Sequence, residues 1–135
     1  MSFTYHRTVR LSDTDAAGVV YFTRLLSMCH EAYEESIAVA GINLKEFFNN
    51  SSTAIPIVRA EVNFFHPIFS GDQLLINLRP QCLSNKEFEI AYQIFTASSP
   101  QECLAKANTK HVCINPQNRI KIQLPAEIMQ WLETF

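Results

Sequence analysis

The 135-residue sequence has no run of basic residues longer than a pair, and its net charge is −2. A nucleic-acid partner is excluded on that ground, because phosphate neutralisation needs a clustered basic surface. No apolar stretch approaches the ~18 residues that a membrane span requires. The opening Met1-Ser2-Phe3-Thr4-Tyr5-His6-Arg7 lacks the apolar core of a signal peptide. These absences point to a soluble, cytoplasmic protein without a membrane partner. The four cysteines, Cys29, Cys82, Cys103 and Cys113, form no C-x-x-C pair, and each lies in an apolar-periodic segment. Zinc ligation and a disulfide framework therefore lack support, and buried free thiols are expected. No two of the four histidines stand at H-x-x-x-H spacing, so neither a metal nor another cofactor is expected. What is present is ordinary: 47% hydrophobic and 18% charged residues, enough for one domain over residues 1–135 with one core.

No internal repeat, low-complexity stretch or linker interrupts the chain. Residues 3–11 alternate, with Phe3, Tyr5, Val9 and Leu11 on one face and Thr4, His6, Thr8 and Arg10 on the other. Turn chemistry follows in residues 12–18. The spacing predicts a helix over 22–40, with Phe22, Leu25, Leu26, Cys29, Tyr33, Ile37 and Ala40 in one stripe that Met28, Ala32 and Val39 widen. Arg24, Ser27, Glu31, Glu34 and Glu35 take the opposite face, and Gly41 is a natural stop. Four period-two segments come next, at 57–65, 73–79, 88–94 and 103–114, broken by Ser70-Gly71-Asp72, Ser84-Asn85-Lys86 and Ser98-Ser99-Pro100. In the first of them Val58, Ala60, Val62 and Phe64 form the apolar face. Pro125 opens a short closing helix over 126–135. The resulting class is α+β: a five-stranded antiparallel sheet wrapped around one long helix. Its unpaired edges call for a partner, so a homo-oligomer, dimer or tetramer, is expected.

Chemistry concentrates in Ser12-Asp13-Thr14-Asp15-Ala16-Ala17-Gly18-Val19-Val20-Tyr21-Phe22. Two carboxylates follow a strand and precede the long helix, and Gly18 permits a bend that a side chain would resist. A helix N-terminus presents unpaired N–H groups and partial positive charge, which polarise a carbonyl and stabilise an oxyanion. A carboxylate on the other side of that carbonyl can attack it or activate water. The same pattern also serves as plain turn chemistry, since Asp is a common turn residue.

The run D-T-D-A-A-G-V-V-Y-F and the helix L-L-S-M-C-H-E-A-Y-E resemble the 4-hydroxybenzoyl-CoA thioesterase family, whose opening motif is D-x-D-x-x-G-h-h-[WY]-[YF] followed by a long helix. The likeness continues through V-N-F-F-H-P-I-F-S-G-D (62–72) to Leu124-Pro125. The stretches M-C-H-E-A-Y-E and K-H-V-C-I (110–114) are most similar to one branch, the 1,4-dihydroxy-2-naphthoyl-CoA hydrolases of phylloquinone biosynthesis. The resemblance implies a hotdog fold and hydrolysis of an aromatic acyl-CoA. It implies that Asp15 is the catalytic carboxylate, that the Phe22 N–H polarises the carbonyl, and that Gly18 shapes the turn. Whether Asp15 forms an acyl anhydride or deprotonates water stays open, with the nucleophile favoured for an aromatic thioester. Asp13 is expected to brace the turn. The family's type member has a basic cluster where this chain has Ser84-Asn85-Lys86, so only Lys86 matches as a coenzyme A phosphate contact.

Other readings compete. A second hotdog branch uses a helix Glu, and Glu31, Glu34 and Glu35 are available, although their place opposite the stripe suggests a solvated face. His30 sits at the stripe's edge as a core or interface histidine, and His66 and His111 are expected to pack within strands. The alternatives in function are a short- or medium-chain acyl-CoA or acyl-carrier-protein thioesterase and, in another class, a non-catalytic acyl-CoA-binding module.

Overall fold

All five alternating segments form strands of one antiparallel sheet in the computed structural model, which describes residues 2–135. The strands are β1 (Phe3–Thr8), β2 (Ile57–Phe64), β3 (Gln73–Cys82), β4 (Glu87–Thr96) and β5 (Ala105–Val112), in the order β1-β3-β4-β5-β2. The long helix α1 (Phe22–Val39) joins β1 to β2, a short α2 (Leu44–Phe48) follows it, and α3 (Ala126–Thr134) closes the chain.

Side chains of one strand face alternate sides of a sheet, and register decides which residues share a side. Ile76 pairs with Ile94, Leu78 with Tyr92, Tyr92 with Ala107 and Phe88 with His111. These residues are buried, and α1 covers them with Leu25, Met28, Cys29, Ala32, Tyr33, Ser36 and Ile37. Burying each large side chain contributes roughly 1.5–3 kcal/mol, so this helix–sheet contact holds the fold. Ser36 keeps its place in the stripe because its Oγ donates to the Tyr33 carbonyl and accepts from Trp131 Nε1–H. Gly41 ends the helix region with φ +89, a left-handed conformation that glycine adopts freely.

Several expectations are corrected. The first strand stops at Thr8, and Leu11 is 78% exposed in a 3-10 turn. Asp13 accepts the Arg10 N–H there, so the chain turns and the alternation is lost. Phe22 and Val39, at the ends of α1, are exposed rather than part of the buried stripe. The helix α2 went unread, although Asn43 caps it by accepting the Glu46 N–H. In β2 the expected core face is absent: Val62 is half-buried and every other residue is exposed. Among the described residues its one strand neighbour is β5, and α1 touches it without covering it. The core face of β5 carries Thr109 and His111, bonded to each other at 2.8 Å, which hid its alternation. Of the thiols, Cys29 and Cys113 are buried, Cys103 is half-buried, and Cys82 is exposed at the end of β3.

The two ends of the sheet differ. At the end where β3 turns into β4, α3 seals the core. Trp131 packs on Tyr33 and Phe88, and Phe88 stacks on His111 at 4.6 Å. The opposite end, where β1 leaves the sheet and α1 begins, stays open. Among the described residues no helix is long and apolar enough to cross a membrane.

Candidate active site

The open end is organised by the loop between β1 and α1. Thr14 bridges Val20, and the Asp15 N–H donates to the Val19 carbonyl at 2.9 Å, so residues 14–20 form a closed turn. Gly18 makes that turn with φ +82, and its N–H donates to the Asp15 carbonyl at 3.0 Å. A Cβ at Gly18 would meet nothing within 4 Å, so its backbone conformation, not crowding, calls for glycine. The Asp15 carboxylate is exposed, and Oδ1 accepts the Ala17 N–H at 2.9 Å. Among the described residues nothing bonds its Oδ2.

Asp13 has the opposite surroundings. It is 3% exposed and accepts from Arg7 Nη1 at 2.6 Å and from the Arg10 N–H at 2.7 Å. Its backbone carbonyl accepts the Tyr21 N–H at 3.0 Å, which ties the loop to the start of α1. Burial pushes the Asp13 pKa up, but hydrogen bonds from Arg7 and Arg10 and the charges of Arg7 and Arg24 outweigh it, and the net shift is downward. Arg7 also bonds Glu31 on α1 at 3.0 Å, and Tyr5 donates to the same carboxylate at 2.9 Å. Hydrogen bonds to Glu31 and then Asp13 raise the Arg7 pKa further. Glu31 is thus a brace between strand and helix, more than the solvated group its sequence position suggested. Glu34 pairs with the exposed His30 at 2.9 Å.

Asp15 lines an apolar cavity of about 440 Å³ with Val19, Val20, Tyr21, Phe22, Phe64, Phe65, His66, Pro67 and Ile68. That volume suits a small organic group. The helix start faces the same space. Tyr21 supplies no side-chain cap, and among the described residues no carbonyl is bonded to the N–H groups of Phe22 or Thr23. Asp15, the first residue of an uncapped helix and apolar walls therefore line one cleft. None of Glu31, Glu34 and Glu35 lines it.

The structure brings Asp15, Gly18 and Phe22 together but not Lys86. Lys86 is exposed in the β3–β4 turn, whereas the Asp15 loop leaves β1 at Thr8, beside the first residue of β3, Gln73. Ten residues of β3 separate the two ends, roughly 30 Å along the strand. One cleft residue escaped sequence reasoning. His66 lies past the end of β2, not within a strand, and its N–H and that of Phe65 both donate to the Leu104 carbonyl. The H-P dipeptide just after an alternating run was the available signal, since proline ends a strand and leaves the preceding residue at its mouth.

Comparison with known proteins follows the same lines. Residues 9–132 match the thioesterase-like superfamily. A 1,4-dihydroxy-2-naphthoyl-CoA hydrolase from Nostoc punctiforme is 58% identical over 134 residues, 99% of this chain and 88% of that protein. The enzyme of the same name from Crocosphaera subtropica is 55% identical, covering 97% of this chain and 96% of its own. The crystal structure of a 1,4-dihydroxy-2-naphthoyl-CoA thioesterase from Synechocystis superposes with a TM-score of 0.92 at 42% identity, over 98% of this chain and 96% of that one.

Proposed function

The chain belongs to the thioesterase-like superfamily, and on that premise we propose that it hydrolyses 1,4-dihydroxy-2-naphthoyl-CoA to 1,4-dihydroxy-2-naphthoate and CoA, a step of phylloquinone biosynthesis in the cytoplasm. The observation that carries the reading is the meeting of Asp15 with the uncapped start of α1 inside one apolar cavity. The thioester carbonyl oxygen accepts the Phe22 N–H, and the dipole of α1 stabilises the charge that develops there. Asp15 attacks from the other side. A carboxylate oxygen bonds the acyl carbon, the C–S bond breaks, CoA leaves as thiolate, and water then hydrolyses the mixed anhydride. In the alternative, Asp15 takes a proton from water, and hydroxide makes the attack. A burst of CoA ahead of free acid in a single turnover distinguishes the first route from the second. Gly18 holds the turn that aims Asp15.

Assembly belongs to the same proposal. The edge strand β2 exposes Ile57, Val58 and Phe64, and the cavity opens beside it through Phe64 and Phe65. Pairing of two β2 edges gives a dimer and walls the cavity, and dimers can associate to a tetramer. Lys86 then binds coenzyme A phosphate from a neighbouring copy, since its own protomer holds it at the far end of the sheet. Light scattering should show a dimer or tetramer, and a fully active monomer rules this arrangement out.

The substrate is tested by kcat/KM on 1,4-dihydroxy-2-naphthoyl, hydroxybenzoyl, phenylacetyl and fatty acyl-CoA. The bicyclic aromatic thioester should be preferred, because a flat ring fills the cavity without losing the rotamer freedom of a chain. Equal or better turnover of a medium-chain fatty acyl-CoA overturns it.

A further inference from the structure

The walls of the Asp15 cavity are mostly apolar. Besides Asp15, only Tyr21 and His66 bring polar side chains to it. His66 is held on two sides. Its backbone N–H donates to the Leu104 carbonyl at 3.2 Å, and its Nε2 lies 3.3 Å from Glu102 Oε1. A carboxylate accepts hydrogen bonds and cannot donate when ionised. A proton on Nε2 would face Glu102, both side chains being about half exposed. In that tautomer the ring keeps a lone pair on Nδ1, and among the described residues no group donates to it. A hydrogen-bond acceptor on an apolar wall selects a ligand that carries a donor.

We propose that His66, oriented by Glu102, is a specificity-determining residue whose Nδ1 accepts a hydrogen bond from a hydroxyl on the ring of the aromatic acyl group. This rests on the aromatic thioesterase reading above. In a 1,4-dihydroxy-2-naphthoyl thioester the 1-hydroxyl is adjacent to the thioester carbonyl and can bond it internally. The 4-hydroxyl has no such partner and is the donor that His66 reads. The catalytic carboxylate thus meets the thioester while the imidazole meets the far side of the same ring.

The test compares kcat/KM on 4-hydroxy-2-naphthoyl-CoA and on 2-naphthoyl-CoA, and reads their ratio within each protein. A ratio cancels losses from misfolding or weakened coenzyme A binding. The wild type should favour the hydroxylated thioester by up to about tenfold, the scale of one net hydrogen bond. His66→Phe should bring the ratio close to one, His66→Gln should restore part of it through its amide oxygen, and Glu102→Ala should give an intermediate value. The 1-hydroxy isomer should show no His66-dependent preference. A ratio that is unchanged in His66→Phe, or absent in the wild type, overturns the assignment while leaving aromatic thioester hydrolysis intact. Turnover of aliphatic thioesters alone sinks the aromatic reading, and the assignment with it.

Discussion

Both ends of the sheet are rich in aromatic side chains, yet they have opposite fates. At the closed end Tyr33, Phe88 and Trp131 are each no more than 2% exposed, because α3 folds back over them. At the open end Tyr21, Phe22, Phe64 and Phe65 are 45%, 50%, 41% and 53% exposed, and among the described residues no helix packs over them. The closed end stores stability. The open end keeps apolar surface uncovered beside a carboxylate and a helix start, which costs folding energy and leaves room for a ligand. Substitutions at the two ends should therefore act on different observables.

The sharpest contrast is Asp15→Asn against the closed end. The amide keeps the size and the bond to the Ala17 N–H but cannot serve as nucleophile or base. Turnover should fall by about two orders of magnitude or more, while the thermal midpoint and KM change little. Near wild-type turnover refutes the role given to Asp15.

Trp131→Ala should do the reverse. It removes a buried ring and the bond to Ser36 Oγ, so urea denaturation should show a loss of about 3–5 kcal/mol. Measured well below its melting temperature, the folded variant should keep its kcat. A large fall in kcat with unchanged stability would erase the distinction between the ends.

The closed end should also carry a pH signature. His111 is fully buried, and burial, helped by the charge of His30, lowers its pKa to about 4 from the usual 6.5. The unfolded chain takes up a proton as pH falls through about 6.5, and the folded chain does not. The contribution of this group is fully present above that value. It is lost at up to about 1.4 kcal/mol per pH unit between roughly 6.5 and 4, and the loss levels off below. Urea midpoints across that range should fall less steeply in His111→Phe. Equal slopes remove His111 as the cause.

The smallest effects belong to the brace under the loop. Asp13→Asn weakens the bonds from Arg7 and Arg10, and should cost stability more than rate. The stability that Asp13 supplies lies above its unfolded pKa and is lost as pH falls through the lowered folded value, a trend the variant should lack. Glu31→Gln touches a side chain that is 38% exposed, so screening limits its effect to roughly 0.5–1 kcal/mol, and Glu35→Gln should be silent. A dead Glu31 or Glu35 variant would move the catalytic carboxylate to the helix.

Local pattern was enough to read the five strands, the long helix, the closing helix and the glycine turn, because alternation and helical periodicity are properties of neighbouring residues. The motif from Asp13 to Phe22 was legible too, since its parts are contiguous and the turn builds itself. Burial was not legible where it depends on what a distant element covers. Val58, Ala60 and Val62 alternate like the residues of β4, but β2 is an edge and β4 lies inside the sheet. Thr109 and His111 look polar along the chain, yet register places them on the core face, where Thr109 Oγ1 and His111 Nε2 bond each other. Only tertiary structure could separate Lys86 from Asp15, because strand direction sends them to opposite ends of β3. Only it could carry His66 to the wall beside Asp15, because that meeting joins residues 51 positions apart through the packing of β2 against the sheet. Periodicity is written in adjacent residues, whereas proximity across the sheet is decided by register and by which elements pack over each surface.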